Sequence, residues 1–226
     1  MTHSRHLSWE GCKNVRDLGG LRTHDGRVTR WGAVVRADHP SKLSAAGWEA
    51  LRAHGVCTVV SLRTDGLIEE SPDVAPRPSG LTTVSAAIED FEDADFVQQW
   101  VVSNLWCTPL YYRDALQRWP QRHAAAIAAV AHAPPGGVLV HCGRGHDRTG
   151  IITLLLLALA GVTPEEIAAD YALSIDPDRD ELLAQRNTSS AEVICDTLAQ
   201  LDVAAYLRSG GLSEAELDAV RARLLG

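Results

Sequence analysis

The sequence has no hydrophobic run long enough to cross a bilayer. Its longest apolar stretch, residues 151–162, falls short of the roughly 20 residues that a spanning helix needs. The opening MTHSRHLSWEG has no apolar core of the kind a secretory signal requires. Positive charge is scarce as well: 21 Lys and Arg stand against 29 Asp and Glu, a formal net charge of −8. That balance argues against sequence-independent nucleic-acid binding, which needs clustered cations, and against docking on an anionic membrane by charge alone. An anionic substrate must instead be drawn in by a local positive site. The five cysteines, Cys12, Cys57, Cys107, Cys142 and Cys195, are odd in number and form no CxxC pair. A disulfide framework or a zinc knuckle is therefore not expected, nor any metal or organic cofactor. There is no internal repeat, low-complexity tract or long linker. These absences predict a reducing, cytoplasmic setting, with export by a route that needs no signal peptide left open.

What is present suits one globular domain spanning 1–226. The chain is 46% hydrophobic and 22% charged, and a domain of this size buries roughly 70% of the surface its unfolded chain exposes. Residues 21–37 alternate about His24-Asp25-Gly26, a hairpin signal. Residues 43–54 have helical spacing, with Ser44 as N-cap and Gly55 as stop. Residues 56–62 are rich in β-branched side chains and read as a buried strand, and residues 81–85 as another. Over 88–110 the pattern loosens and Glu89, Asp90, Glu92, Asp93 and Asp95 gather. This stretch reads as a solvated acidic helix, with a mobile cover or a variable insertion as the alternative. Helical segments follow at 112–119 and 121–133, broken at Pro120, then a turn at Pro134-Pro135-Gly136-Gly137 and a short strand, Val138-Leu139-Val140. An apolar helix at 149–160 comes next. Thr163-Pro164-Glu165-Glu166 and Ser213 to Glu216 read as capping boxes, and the last third is helical. Strands alternating with helices predict an α/β fold with a central, mostly parallel sheet flanked by helices.

The chemistry concentrates in His141-Cys142-Gly143-Arg144-Gly145-His146-Asp147-Arg148-Thr149-Gly150. The apolar strand delivers Cys142 to the carboxyl edge of the sheet, where open α/β folds place ligands. Gly143 and Gly145 let the backbone turn sharply, so that loop amides can form an anion nest. The helix that starts near Arg148 adds its positive dipole end. Arg148, six positions after Cys142, can bind two phosphate oxygens with its planar fork. The same positive field favours a reactive Cys142 thiolate, which could attack phosphorus and form a cysteinyl-phosphate. Thr149 could hydrogen-bond the sulfur, and His141 would orient the loop from behind. No Gly-Lys-Ser/Thr follows, which excludes a Walker-type loop.

HCGRGHDRTG closely resembles HCxxxxxRTG, the signature of the protein tyrosine phosphatase superfamily. Asn14-Val15-Arg16-Asp17-Leu18-Gly19-Gly20 resembles the N-terminal NxRDxGG motif of the bacterial tyrosine/serine phosphatase family. Val34-Val35-Arg36-Ala37-Asp38, Val59-Val60-Ser61-Leu62-Arg63 with Glu69, and Ala169-Asp170-Tyr171-Ala172-Leu173-Ser174 resemble further elements of that family. The resemblance implies a protein tyrosine phosphatase-like α/β fold and metal-free hydrolysis of phosphotyrosine, with phosphoserine, phosphothreonine or phosphoinositides as further substrates. It implies Cys142 as nucleophile, Arg148 as phosphate-binding arginine, and loop amides over Gly143, Arg144, Gly145, His146, Asp147 and Arg148. Two departures stand out. His146 replaces a common Lys, so charge at that place is expected only below about pH 6.5. Ser61 replaces a common Asp.

Asp147 is the first candidate for the acid that protonates the leaving group, with a loop-shaping role as the alternative. Asp38, Asp65 and Asp114 rank behind it. Trp119-Pro120-Gln121 imitates an acid-bearing Trp-Pro-Asp loop, but Gln121 cannot donate a catalytic proton. Arg36 and Arg63 are read as structural, paired with Asp17 and Glu69. A phosphorylated protein is the expected substrate. Rival functions are a phosphoinositide or small phosphate-ester phosphatase that uses the same loop, a non-catalytic phosphate binder, and sulfur-transfer or arsenate chemistry. The last wants resolving cysteines, which the spacing does not supply.

Overall fold

The described strands form one five-stranded sheet of order β1-β2-β5-β3-β4. These are β1 (Arg16–Asp17), β2 (Val34–Ala37), β3 (Val56–Ser61), β4 (Thr82–Ser85) and β5 (Gly137–His141). The structure, a computed structural model, describes residues 4–64 and 72–226. Asp65 and Glu69 lie outside those residues. β1 runs antiparallel to β2 at one edge, and the remaining pairings are parallel. A mostly parallel sheet was the expectation, and the antiparallel edge adds to it.

Alternate residues of the central strands feed opposite faces, as the period of two demands. Val34, Val60, Val138 and Val140 join the larger core. Val35, Val59 and Leu139 join the smaller one, beneath α1 (Ala45–Ala53) and Trp48. The Ser44 side chain caps α1 by accepting the Gly47 amide, as expected. The larger face is covered by α3 (Tyr112–Arg118), α4 (Pro120–Ala131) and α5 (Asp147–Leu159), then by α6 (Pro164–Ala172), α8 (Ser190–Ala199), α9 (Val203–Ser209) and α10 (Glu214–Leu225), while α7 (Pro177–Ala184) contributes no residue to this core. α5 is apolar on every side, and residues 151–157 are all buried. A helix of that kind belongs in the centre of a core, so the loop before it leads directly into a buried element. The Ser213–Glu216 capping box is complete, whereas at Thr163 only the forward bond, from the Glu166 amide, is made. Trp119 and Pro120 are the α3–α4 junction, with Trp119 packed on Phe96 at 4.7 Å. The imitation Trp-Pro-Asp loop is thus core packing. Among the described residues, no helix is long and apolar enough to cross a membrane.

Residues 88–110 depart from the expected solvated acidic helix. Ile88, Glu89 and Phe96 are fully buried. α2 (Ala94–Phe96), a wide π-type turn, Val97–Val101, and the start of a 3-10 turn, Pro109–Tyr111, are the helical pieces there. The reason lies in the aromatics that interleave with the acids. Phe91 packs edge-on to Trp106, and Phe96 to Tyr111 and Trp119. Two of the acids pair with cations of α3 and α4: Asp93 with Arg118 and Asp90 with Arg122. The segment forms a wall of the cavity described next.

Candidate active site

β5 ends at His141 and α5 begins at Asp147, which leaves 142–146 as a tight turn between strand and helix. Five consecutive carbonyls of this turn are captured from outside it. His141 Nδ1–H donates to Cys142 O at 3.0 Å, and the His39 amide donates to Gly143 O at 3.0 Å. Asn14 Nδ2 donates to Arg144 O at 3.1 Å and to Gly145 O at 3.0 Å. Arg36 Nη2 donates to Gly145 O at 2.8 Å and to His146 O at 3.2 Å. Across a trans peptide the N–H points opposite to the C=O, so the amides of residues 143–147 turn inward. The result is an anion nest at the N-terminus of a buried helix. Gly145 is required at its place. Its φ is +71°, and a Cβ there would run into the Ala37 carbonyl.

The nest opens into a cavity of about 240 Å³ lined by Cys142, Arg148, Asp147, Trp106, Cys107 and Tyr111, together with Gly143, Arg144 and His146. Cys142 is 3% exposed, and all five cysteines are free thiols. The Arg148 guanidinium lies 5.0 Å over the Trp106 ring, and its Nε stands 3.8 Å from Glu89 Oε2. Burial opposes the charge on Arg148, but Cys142 and Glu89 more than offset that and raise its pKa. Glu89 is itself fully buried. Its Oε1 accepts from Tyr111 Oη at 2.8 Å and from Trp106 Nε1 at 3.1 Å. Burial raises the Glu89 carboxyl above its usual range, against Arg148, Tyr111 and Trp106, which favour its charge. Glu89 and Trp106 thus hold the arginine and Tyr111 holds Glu89, and nothing in the order of residues singles them out.

Asp147 is 8% exposed, and its Oδ1 accepts from Tyr171 Oη at 2.6 Å. Burial raises its pKa above that of an ordinary carboxyl, despite the Tyr171 bond and the nearby Arg144 and Arg179. That is the direction a proton donor needs, and the hydroxyl also fixes its rotamer. Acid and scaffold roles are therefore compatible at this residue. Asp38 and Asp114 are engaged elsewhere: Asp38 accepts the amides of Lys13 and Asn14, and Asp114 accepts from Trp100 and Arg118.

Three other sequence expectations are revised or refined. Burial first, then Arg144 and Arg179, push His146 down to about 4, so it is neutral near pH 7 and adds no phosphate-binding charge as pH falls through 6.5. His141 is likewise pushed down to about 3 by burial. It stands as a neutral donor to the Cys142 carbonyl. Arg36 is structural, but its partner is Asp170 at 2.6 Å and not Asp17. Asp17 instead accepts the Gly19 and Gly32 amides and faces His54. Asp170 gathers Arg5, Arg16 and Arg36 and so ties β1, β2 and α6 to the back of the loop. Thr149 Oγ is buried with no hydrogen-bond partner among the described residues.

Residues 7–226 match the sequence profile of the tyrosine phosphatase family. The chain belongs to that family. It is 35% identical over 175 residues to a Cupriavidus necator protein named provisionally as a tyrosine-protein phosphatase, covering 74% of this chain and 62% of that one. It is 35% identical over 147 residues to a tyrosine-protein phosphatase of Nostoc commune, covering 63% of this chain and 48% of the relative. It is 26% identical over 282 aligned positions to the triple specificity protein phosphatase PtpB of Mycobacterium tuberculosis, covering 96% and 98%. The chain thus spans 62% and 48% of the lengths of the first two relatives. The resemblance read in the loop, in Asn14 to Gly20 and in Ala169 to Ser174 is borne out at family level.

Proposed function

We propose that this chain is a protein tyrosine phosphatase that hydrolyses phosphotyrosine, with phosphoserine and phosphothreonine as further substrates, through a cysteinyl-phosphate at Cys142. The observation that carries this reading is the inward-turned amide nest, held by five captured carbonyls, with Cys142 and Arg148 on one cavity. Loop amides and Arg148 take the three non-bridging oxygens. The Cys142 sulfur attacks phosphorus as the bond to the leaving oxygen breaks, and protonated Asp147 gives that oxygen its proton. A water then attacks the cysteinyl-phosphate, Asp147 takes back a proton, and the phosphorus–sulfur bond breaks to free inorganic phosphate. The unpartnered Thr149 hydroxyl is available to hydrogen-bond the departing sulfur.

Trp106 and Tyr111 give the cavity aromatic walls, which suit a phenyl ring and favour aryl over alkyl phosphates. The phosphoinositide alternative draws on extra positive charge in the loop. His146 does not supply it near pH 7, and Arg144 is paired with Asp176 at 2.7 Å. One domain accounts for the chain, because the strands share a single sheet. A reducing, cytoplasmic setting suits a nucleophile that must stay a thiol.

Asp147→Asn distinguishes an acid from a scaffold. Loss of a general acid costs about 10²–10⁴-fold in kcat, and phenyl or alkyl phosphates will show it far more than nitrophenyl phosphate, whose leaving group needs no proton. In wild-type protein, turnover of the poor leaving groups will fall as pH rises through the raised Asp147 pKa, and Asn will remove that limb. An equal loss on all leaving groups, with the limb intact, would assign Asp147 to loop shape alone.

A further inference from the structure

Beside the catalytic cavity lies a second groove of about 320 Å³, and Arg144 and His146 line both. The chain has only two lysines, Lys13 and Lys42, and both line this groove. They face one lining carboxylate, Asp38, in a chain whose net charge is −8, while Arg144 on the same groove is paired with Asp176. Asp38 is occupied, by Lys42 at 3.1 Å and by the amides of Lys13 and Asn14. The far side of the groove is apolar and open: Leu173 is 55% exposed and Ile175 79%.

Ile175 does not sit on a loose loop. Ser174, 1% exposed, is tied to Asn14, Arg16 and Arg36, and Asp176, 8% exposed, holds Arg144 and caps α7. The buried–exposed–buried alternation of 174–176 therefore fixes an isoleucine outward beside the active loop. An apolar side chain so held would gain by burial against a partner.

We infer that this groove docks the polypeptide flanking the phosphorylated residue, taking an acidic side chain against Lys13 and Lys42 and an apolar one against Leu173 and Ile175. This rests on the phosphatase reading above and adds its peptide preference. The occupant is a peptide and not a bilayer, because both lysines stand in this one groove of a chain whose net charge is −8, and an anionic membrane would meet the repelling remainder.

The experiment compares kcat/KM on three substrates: nitrophenyl phosphate, a phosphotyrosine peptide with acidic and apolar flanks, and the same peptide with alanine flanks. Wild-type protein will favour the acidic–apolar peptide over the alanine one, more so at low salt. Lys13→Glu and, separately, Ile175→Ser will each lower kcat/KM on that peptide about tenfold through KM, about 1.4 kcal/mol, and leave nitrophenyl phosphate unchanged. Equal rates on the two peptides, or variants that do not discriminate between them, would overturn the docking proposal while the phosphatase reading stands. So would Ile175-dependent binding to phosphatidylserine vesicles without a peptide preference, which would assign the groove to membranes. No wild-type turnover of nitrophenyl phosphate would instead remove the phosphatase reading, and this proposal with it.

Discussion

Cys142→Ser will reduce phosphate-ester turnover to background, a loss of about 10⁶-fold or more, because the covalent route carries the rate enhancement. The same variant will still bind inorganic phosphate with an affinity within a few-fold of wild type. The anion site is built from the amides of residues 143–147 and from Arg148, and the partners that hold it do not involve the sulfur: Asn14, Arg36, His39 and His141 reach the loop through backbone carbonyls. A seryl hydroxyl is smaller and far less acidic than a thiol, so it fits the site without serving as nucleophile. Calorimetric titration with phosphate, run beside the rate assay, separates the two functions. If turnover and binding vanished together, Cys142 would be part of the scaffold and the division of labour drawn here would be wrong.

Asp170→Asn will cost about 3–5 kcal/mol of stability, the typical penalty for removing one partner of a buried ion pair. Asp170 is 1% exposed, as is the Arg36 side chain with which it pairs, and the Arg16 side chain is 3% exposed. Burial pushes the Asp170 carboxyl up, but Arg36, Arg16 and Arg5 outweigh it and hold it well below the usual carboxylate range. The depressed folded-state value fixes the sign. The contribution is fully present above the unfolded-state pKa of about 3.9 and is lost as pH falls towards the folded-state value. Urea denaturation at pH 7 should show the full difference between wild type and variant, and the gap should narrow below about pH 4 as the wild-type carboxylate protonates. A difference under about 1 kcal/mol at pH 7, ordinary for an exposed pair, would mean that the three arginines do not depend on this charge. The variant also tests how the loop is held, since Arg36 joins Asp170 to the carbonyls of Gly145 and His146.

The candidate phosphate loop was legible in the sequence because its parts are contiguous. A strand, two glycines, an arginine six positions from a cysteine and the start of an apolar helix state their geometry in order along the chain. The α1 caps, the Pro120 break and the buried α5 were legible for the same local reason. The groups that support the loop were not. Glu89 reaches Arg148 across 59 positions of sequence, and Tyr171 reaches Asp147 across 24. Glu89 was also hidden among acids: five lie between positions 89 and 95, and only tertiary packing of Phe91, Phe96, Trp106 and Tyr111 buries one of them. His146 shows the converse limit. Its residue type suggests a charge that titrates near neutrality, and its burial removes that charge. Cys107 was one free cysteine among five, and the fold brings it to the wall of the cavity that holds Cys142.

The most direct test of the account is to trap the intermediate. Wild-type protein turning over radiolabelled nitrophenyl or phosphotyrosine substrate in EDTA, quenched rapidly and digested, should yield one labelled peptide carrying phosphate on Cys142, its phosphorus–sulfur bond cleaved by iodine as a thiophosphate ester's is. The label should disappear in Cys142→Ser. Label on any other residue, or turnover that stops when EDTA removes divalent cations, would contradict a metal-free cysteinyl-phosphate mechanism.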